Sequence, residues 1–164
     1  MIKVNNISKS FVKSQVISNI SATFEKGKTN LIIGQSGSGK TVLMKCLLGL
    51  YDVDNGEIFF DEKKYDKDNI SNMSNLRKQI GMVFQGSALF DSMTVEENIM
   101  FPMQMFTKKD DDEVRERANQ VIKRVNLINA NEKYPDEISG GMKKRVAIAR
   151  SIAVSYTHLR AHET

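Results

Sequence analysis

Three observations predict an α/β fold. Short β-patterned runs alternate with helically spaced ones, a glycine-rich turn separates an apolar run from a helix, and no repeat or low-complexity tract interrupts the order. Residues 2–7 and 16–24 carry strand-type alternation, with Ile2 and Val4 in the first run and Ile20, Ala22 and Phe24 in the second. Leu31-Ile32-Ile33 is a short apolar run of the kind that forms a buried strand, and helical spacing follows from Val42 to Leu50. Asp54-Asn55-Gly56 reads as a turn into a strand pair or edge strand over 56–65, and Ile80-Gly-Met-Val-Phe84 as a further short strand.

The second half is helical. Thr94 followed by Glu97 has the spacing of a capping box. From Asp110 to Val125 the residues Val114, Ala118, Val121, Ile122 and Val125 make an apolar stripe, and the acidic start Asp110-Asp111-Asp112-Glu113 suits the positive end of a helix. Pro135 closes that region. Ser139-Gly140-Gly141 opens a last helix with Val146, Ala149, Ile152 and Ala153 on one face.

A chain of 164 residues with 40% hydrophobic content can bury one domain's core, and 27% charged residues exclude disordered and fibrous classes. The apolar stretch 42–51 is broken by Lys45 and far too short for a bilayer, and Met1-Ile2-Lys3 runs straight into patterned sequence with no signal peptide. A single cysteine, Cys46, rules out a disulfide framework, fits a reducing compartment and reads as core. A net charge of +4 suits polyanions without demanding nucleic acid. These features predict a soluble cytoplasmic domain.

Gly34-Gln-Ser-Gly-Ser-Gly39-Lys40-Thr41 matches the phosphate-loop pattern G-x-x-x-x-G-K-[ST], between an apolar run and a helix. Gly34, Gly37 and Gly39 let the backbone curl so that successive N–H groups, with those of Ser36 and Ser38, face one concavity. The following helix adds its positive end. Lys40 can reach the β- and γ-phosphates, and the Thr41 hydroxyl can ligate Mg²⁺. ATP and Mg²⁺ are therefore the expected ligands.

A phosphate loop alone leaves kinases, GTPases and many ATPases open. Ile138-Ser139-Gly140-Gly141-Met142 places a hydroxyl and two glycine amides at a second helix start, a second anion site, although taken alone it is an ordinary serine cap. With both motifs on one chain, residues 1–154 resemble the nucleotide-binding domain of ATP-binding cassette (ABC) proteins, whose LSGGQ signature stands here as ISGGM. The resemblance implies a P-loop cassette fold, a mixed sheet with an antiparallel β edge and a helical subdomain. It implies that Phe11 stacks on adenine and that Gln85, in Met-Val-Phe-Gln, positions Mg²⁺ and water. It also implies that Ser139, Gly140 and Gly141 meet the γ-phosphate held by the partner's phosphate loop. Lys40, Gln85 and Ser139 would then act in hydrolysis, with Thr41 and Gln85 toward the metal. Taken singly, Phe11 has edge packing as its lesser alternative and Gln85 reads first as a solvated loop residue; their order along the chain carries both. Arg145 and Arg150 read as a solvated helix face, with a phosphate-facing role for one of them as the alternative.

The interval from Lys40 to Ser139 is too short for the long coiled-coil insertion of chromosome-maintenance cassettes, which favours a transport-type member. The run from Phe84-Gln85 through Ala88-Leu89-Phe90 to Asn98, with Phe101-Pro102, and Met142 in the signature resemble the ATPase of Mla/Mce-type phospholipid transporters. The implied assembly is a homodimer of nucleotide-binding domains closing on ATP. It would work with a transmembrane permease, without nucleic acid, peripheral at the cytoplasmic face of the inner membrane. Leu89, Phe90 and Met93 are docking candidates or core beneath a loop, with equal weight. The alternatives are a non-catalytic nucleotide-binding module and a soluble cassette ATPase acting on the ribosome or nucleic acid.

After Val154 the pattern breaks. The family's apolar strand ending in Asp-Glu and its downstream histidine find no match in residues 155–164, which read as a foreign, adapter-like tail on a C-terminally truncated frame. His158, His162 and Glu163 are not carried over as functional residues. The parent protein is expected to be an ATPase, and the 164-residue chain a poor one.

Overall fold

The computed structural model describes residues 1–12, 14–65 and 80–155, with the side chains of Val154 and Ser155 left aside. The predicted tail, including His158, His162 and Glu163, falls outside them apart from the backbone of Ser155. The chain divides into two compact units, 1–75 and 76–164.

Among the described residues, the first unit is an antiparallel sheet with one helix. Strands β1 (Ile2–Phe11), β2 (Ser14–Phe24), β3 (Asn55–Phe60) and β4 (Lys63–Lys64) lie in the order β2-β1-β3-β4. Ile2 pairs with Phe24 and Val4 with Ala22 on one side of β1, while Val4 faces Ile58 on the other. The register slips between Val4 and Ile7, where Asn6 takes a left-handed φ of 50° and its N–H donates to Ser21 Oγ at 2.8 Å. Strict alternation would send Val4 and Ile7 to opposite faces; the bulge lets both enter the core.

Helix α1 (Lys40–Leu47) supplies Leu43, Cys46 and Leu47 to that core, beside Val4, Ile7, Ile17 and Ile58. Full burial of each isoleucine contributes about 1.5–3 kcal/mol. The Cys46 thiol is wholly buried, as its sequence context predicts, and desolvation raises its pKa above the ordinary thiol value.

The second unit is helical: α2 (Val95–Phe106), α3 (Asp111–Arg124) and α4 (Gly140–Ser155), with a 3₁₀ turn at Pro135–Glu137. The capping box is complete, Glu97 N–H donating to Thr94 Oγ1 at 3.2 Å and Thr94 N–H to Glu97 Oε2 at 2.7 Å. Asp110 caps α3 by accepting from Glu113 N–H at 2.8 Å. Val95, Ile99 and Met103 of α2 meet Val114, Ala118 and Val121 of α3 and Val146, Ala149 and Ala153 of α4 in one buried cluster.

Two expected strands are corrected. Leu31–Ile33 and Ile80–Phe84 have no ladder partner among the described residues, and Leu31 and Ile33 stand 78% and 84% exposed. An apolar run is only a candidate strand. Its hydrogen bonds and the cover for its two faces come from segments distant in sequence, which local composition does not specify.

Candidate functional site

The glycine-rich loop runs into α1. Ser38 N–H donates to Gln35 O at 3.2 Å, and Gly37 and Gly39 take φ of 80° and 88°. Gly39 is the N-cap of α1, and no side chain caps that end. Leu43 N–H returns to Gly39 O at 2.8 Å, so the N–H groups of Lys40, Thr41 and Val42 precede the first helical bond. Lys40 Nζ reaches back over the loop to Gly34 O at 2.7 Å and Gln35 O at 2.6 Å. Both partners are neutral carbonyls, so its charge is not cancelled there. Gly34, Ser36, Gly37, Ser38 and Thr41 are exposed. An uncapped positive helix end, an ammonium held over it and open backbone at Gly37 fit a bound phosphate.

Phe11 lies within the same unit. It ends β1 opposite Ser14, and a Cβ on Gly39 would meet Val16 O, two residues along β2, at 2.8 Å. The same hairpin end therefore carries the aromatic ring and abuts the loop. The Phe11 ring meets Tyr51 edge-on at 5.2 Å between centroids, with Lys9 Nζ 5.5 Å from its centre, and is 38% exposed. Lys9 also bonds Asp54 Oδ1 at 2.7 Å, and Ser10 N–H donates to Asp54 Oδ2 at 2.6 Å. The Lys9 hydrogen bond, then that from Ser10, holds the Asp54 carboxyl below its ordinary range.

The remaining predicted residues belong to the helical unit. Ser139, Gly140 and Gly141 are exposed at the start of α4, and Ser139 Oγ accepts from Met142 N–H at 3.3 Å. That bond uses a lone pair of the hydroxyl and leaves its proton free to donate outward. Gln85 is exposed in a turn closed by Ser87 N–H to Phe84 O at 3.1 Å, with Gly86 at φ 82°, the conformation a type II turn demands of its third residue.

Ile80, Met82, Phe84, Phe90, Phe101 and Phe106 line a cavity of about 330 Å³, together with Ala88 of the turn segment and Arg150. Phe90 packs on Phe101 at 4.8 Å. Of the docking candidates, Phe90 is exposed, whereas Leu89 and Met93 are partly covered.

The solvated-face reading of Arg150 is corrected. Its guanidinium donates to Ser87 O at 2.9 Å and Ala88 O at 2.8 Å, lies 6.0 Å from the centre of the Phe90 ring, and is lowered in pKa by desolvation. Arg145, by contrast, is exposed and donates to Asn126 O at 2.9 Å. Sequence reasoning also missed Asn98, a fully buried amide. Its signal was its register, on the same side of α2 as Val95, Ile99 and Met103.

No helix among the described residues is long and apolar enough to cross a membrane. Nor, among those residues, do three His, Cys, Asp or Glu side chains cluster as a metal site. Thr41 and Gln85 are both exposed, and the hydroxyl of one and the amide oxygen of the other are oxygen donors of the kind Mg²⁺ takes.

A glycine-rich loop of the phosphate-binding pattern on an antiparallel sheet, with a helical unit whose last helix starts at Ser-Gly-Gly, defines a cassette-type nucleotide-binding fold. The chain belongs to the ABC transporter family, whose profile matches residues 17–160 and whose cassettes bind ATP with Mg²⁺. The match runs past Val154, the predicted end of family sequence. The chain is 39% identical to the methionine import ATP-binding protein MetN of Clostridium tetani over 94% of its own length and 48% of that protein. It is 40% identical to the arginine transport ATP-binding protein ArtM of Bacillus subtilis over 94% of its length and 64% of that one. It thus spans about half to two thirds of these relatives. Among solved structures it resembles the ATP-binding cassette MJ0796, a dimer in a post-hydrolysis state bound to ADP and Pi. The TM-score is 0.82 at 29% identity, over 93% of this chain and 69% of that one.

Proposed function

We propose that this chain is the ATP-binding part of an ABC transporter's energising subunit. Two copies would close on ATP and reopen on its hydrolysis, peripheral to the membrane through a permease. The observation that carries the reading is the pair of anion sites. One is the uncapped start of α1 under Lys40 Nζ; the other is the solvent-facing start of α4, where the Ser139 proton and the open backbone of Gly140 await a ligand.

Gly34, Ser36, Gly37, Ser38, Gly39, Lys40 and Thr41 bind the triphosphate, and Phe11 offers a ring face to the base. Ser139, Gly140 and Gly141 contact the phosphate bound by the partner copy, and Gln85 orients water and metal. Thr41 and Gln85 would hold Mg²⁺, which would supply neutralising charge at the phosphates. The apolar cavity, with Phe90 at its rim, is the surface for a permease segment.

The cargo is a phospholipid or an amino acid. The run Ala88-Leu89-Phe90 and Met142 in the signature favour phospholipid, and this rests on those residues alone. The names of the methionine and arginine relatives favour amino-acid import.

The test is nucleotide-dependent assembly. With ATP and Mg²⁺ the chain is expected to bind nucleotide and shift toward a dimer in light-scattering chromatography. Ser139→Ala should keep monomer binding and lose the shift. Loss of ATP binding by the Ser139→Ala monomer would show that the two-copy site is wrong. For cargo, the permease that co-purifies with the parent protein, assayed for uptake of amino acids against extraction of labelled phospholipid, separates the two classes.

A further inference from the structure

We infer that Arg150 is a positioning residue for Gln85, pinning the turn that presents it to α4, the helix that follows Ser139. The inference rests on the assignment of Gln85 above and adds a residue to it.

The turn is locally improbable. Gly86, Ser87 and Ala88 take φ of 82°, 69° and 46° in succession, left-handed backbone that L residues enter singly and at a cost. Ser87 and Ala88 have no glycine's freedom, so an outside contact must hold them. Arg150 supplies it, with one guanidinium nitrogen on each of the two successive carbonyls. A planar fork with fixed N–H directions can do this; a lysine ammonium is a single point. Ser87 is also the residue whose N–H closes the Gln85 turn onto Phe84 O. Fixing its carbonyl holds the peptide that follows that N–H, so the turn's closing residue is bonded on both sides of its Cα.

A second contact clasps the same segment to the same helix. A Cβ on Gly81 would lie 2.3 Å from Ser151 O, so the backbone before the turn rests directly on α4 beside Arg150. The segment 81–88 is thus held at both ends by consecutive residues of one helix. That helix is continuous from Gly140, so Arg150 lies about 15 Å along its axis from the signature. A contact made at Ser139 and the aim of Gln85 share one rigid element.

The experiment compares the whole chain with Arg150→Lys and Arg150→Gln by amide hydrogen exchange, and by ATP affinity with and without Mg²⁺. Exchange at 85–90 is expected to rise about tenfold or more while α2 and α3 stay protected. ATP affinity without Mg²⁺ should hold within about twofold, and the gain on adding Mg²⁺ should shrink by about fivefold or more. Unchanged exchange at 85–90, or an unchanged Mg²⁺ gain, overturns the inference. So does loss of protection across the whole helical unit in both variants, which would make Arg150 a fold-stability residue. If the unmodified chain binds no ATP, the proposed function fails, while the exchange measurement still decides whether Arg150 holds the turn.

Discussion

The side-chain amide of Asn98 bonds Phe90 in both directions, accepting its N–H at 2.8 Å and donating to its carbonyl at 3.1 Å. The same Nδ2 lies 3.0 Å from Met93 O and 2.9 Å from Thr94 O. A buried amide thus does for the 90–94 bend what a neighbouring strand would do elsewhere. It sets where the Phe90 ring stands at the rim of the cavity.

Asn98→Ala is therefore expected to strand buried backbone groups and cost about 2–3 kcal/mol, read from urea unfolding. Asn98→Asp should be no better, because a carboxylate keeps the acceptor for Phe90 N–H and faces three carbonyls with nothing to donate. An aspartate variant as stable as the parent would mean that the donated bonds carry none of the stability.

The two left-handed glycines of the phosphate loop should respond differently to a methyl group. At Gly37 nothing lies within 4 Å of an added Cβ, so Gly37→Ala should cost only the backbone strain, about 1–2 kcal/mol. At Gly39 the same Cβ meets Val16 O at 2.8 Å, backbone that cannot turn aside. Gly39→Ala should be the more destabilising of the two in parallel denaturation curves. Equal losses would place the Val16 contact outside the native loop.

Lys40→Ala removes the ammonium that lies over Gly34 O and Gln35 O. ATP affinity by calorimetric titration is expected to fall about a hundredfold, roughly 2.8 kcal/mol, with the thermal midpoint little changed. Retained affinity would move the triphosphate off this loop.

Asp54 links acid sensitivity to the hairpin end that carries Phe11. Its folded pKa is held below the unfolded value, chiefly by the Lys9 hydrogen bond. Its stabilisation is therefore fully present above the unfolded pKa, about 4, and is lost as pH falls through the folded one. The thermal midpoint of Asp54→Asn should trail the parent by a constant gap from pH 5 to 8, and the gap should close below about pH 4. A gap that persists in acid would remove the charge from the explanation.

Much of the phosphate loop and the helical unit is local physics, and so is legible along the chain. The capping box at Thr94 and Glu97, the aspartate cap of α3 and the stripe of Val114, Ala118, Val121 and Ile122 depend on residues three or four apart. The glycine pattern from Gly34 to Thr41 carries its own backbone requirement. What spacing could not supply was partnership between distant segments. Leu31–Ile33 and Ile80–Phe84 have the composition of buried strands but no ladder among the described residues, because pairing is a property of the neighbour.

Arg150 and Asn98 show the same division from the polar side. In sequence one is a charge on a helix and the other an asparagine inside one. Only the tertiary structure brings the guanidinium to Ser87 and Ala88 and the amide to Phe90, positions 62 to 63 and 8 residues away. The sequence by itself determined the glycine-rich loop and the Ser-Gly-Gly helix start proposed to meet phosphate, since a loop and a helix end are built from consecutive residues. The aim of Gln85 was decided by folding, because a turn of left-handed residues keeps its shape only against something outside it.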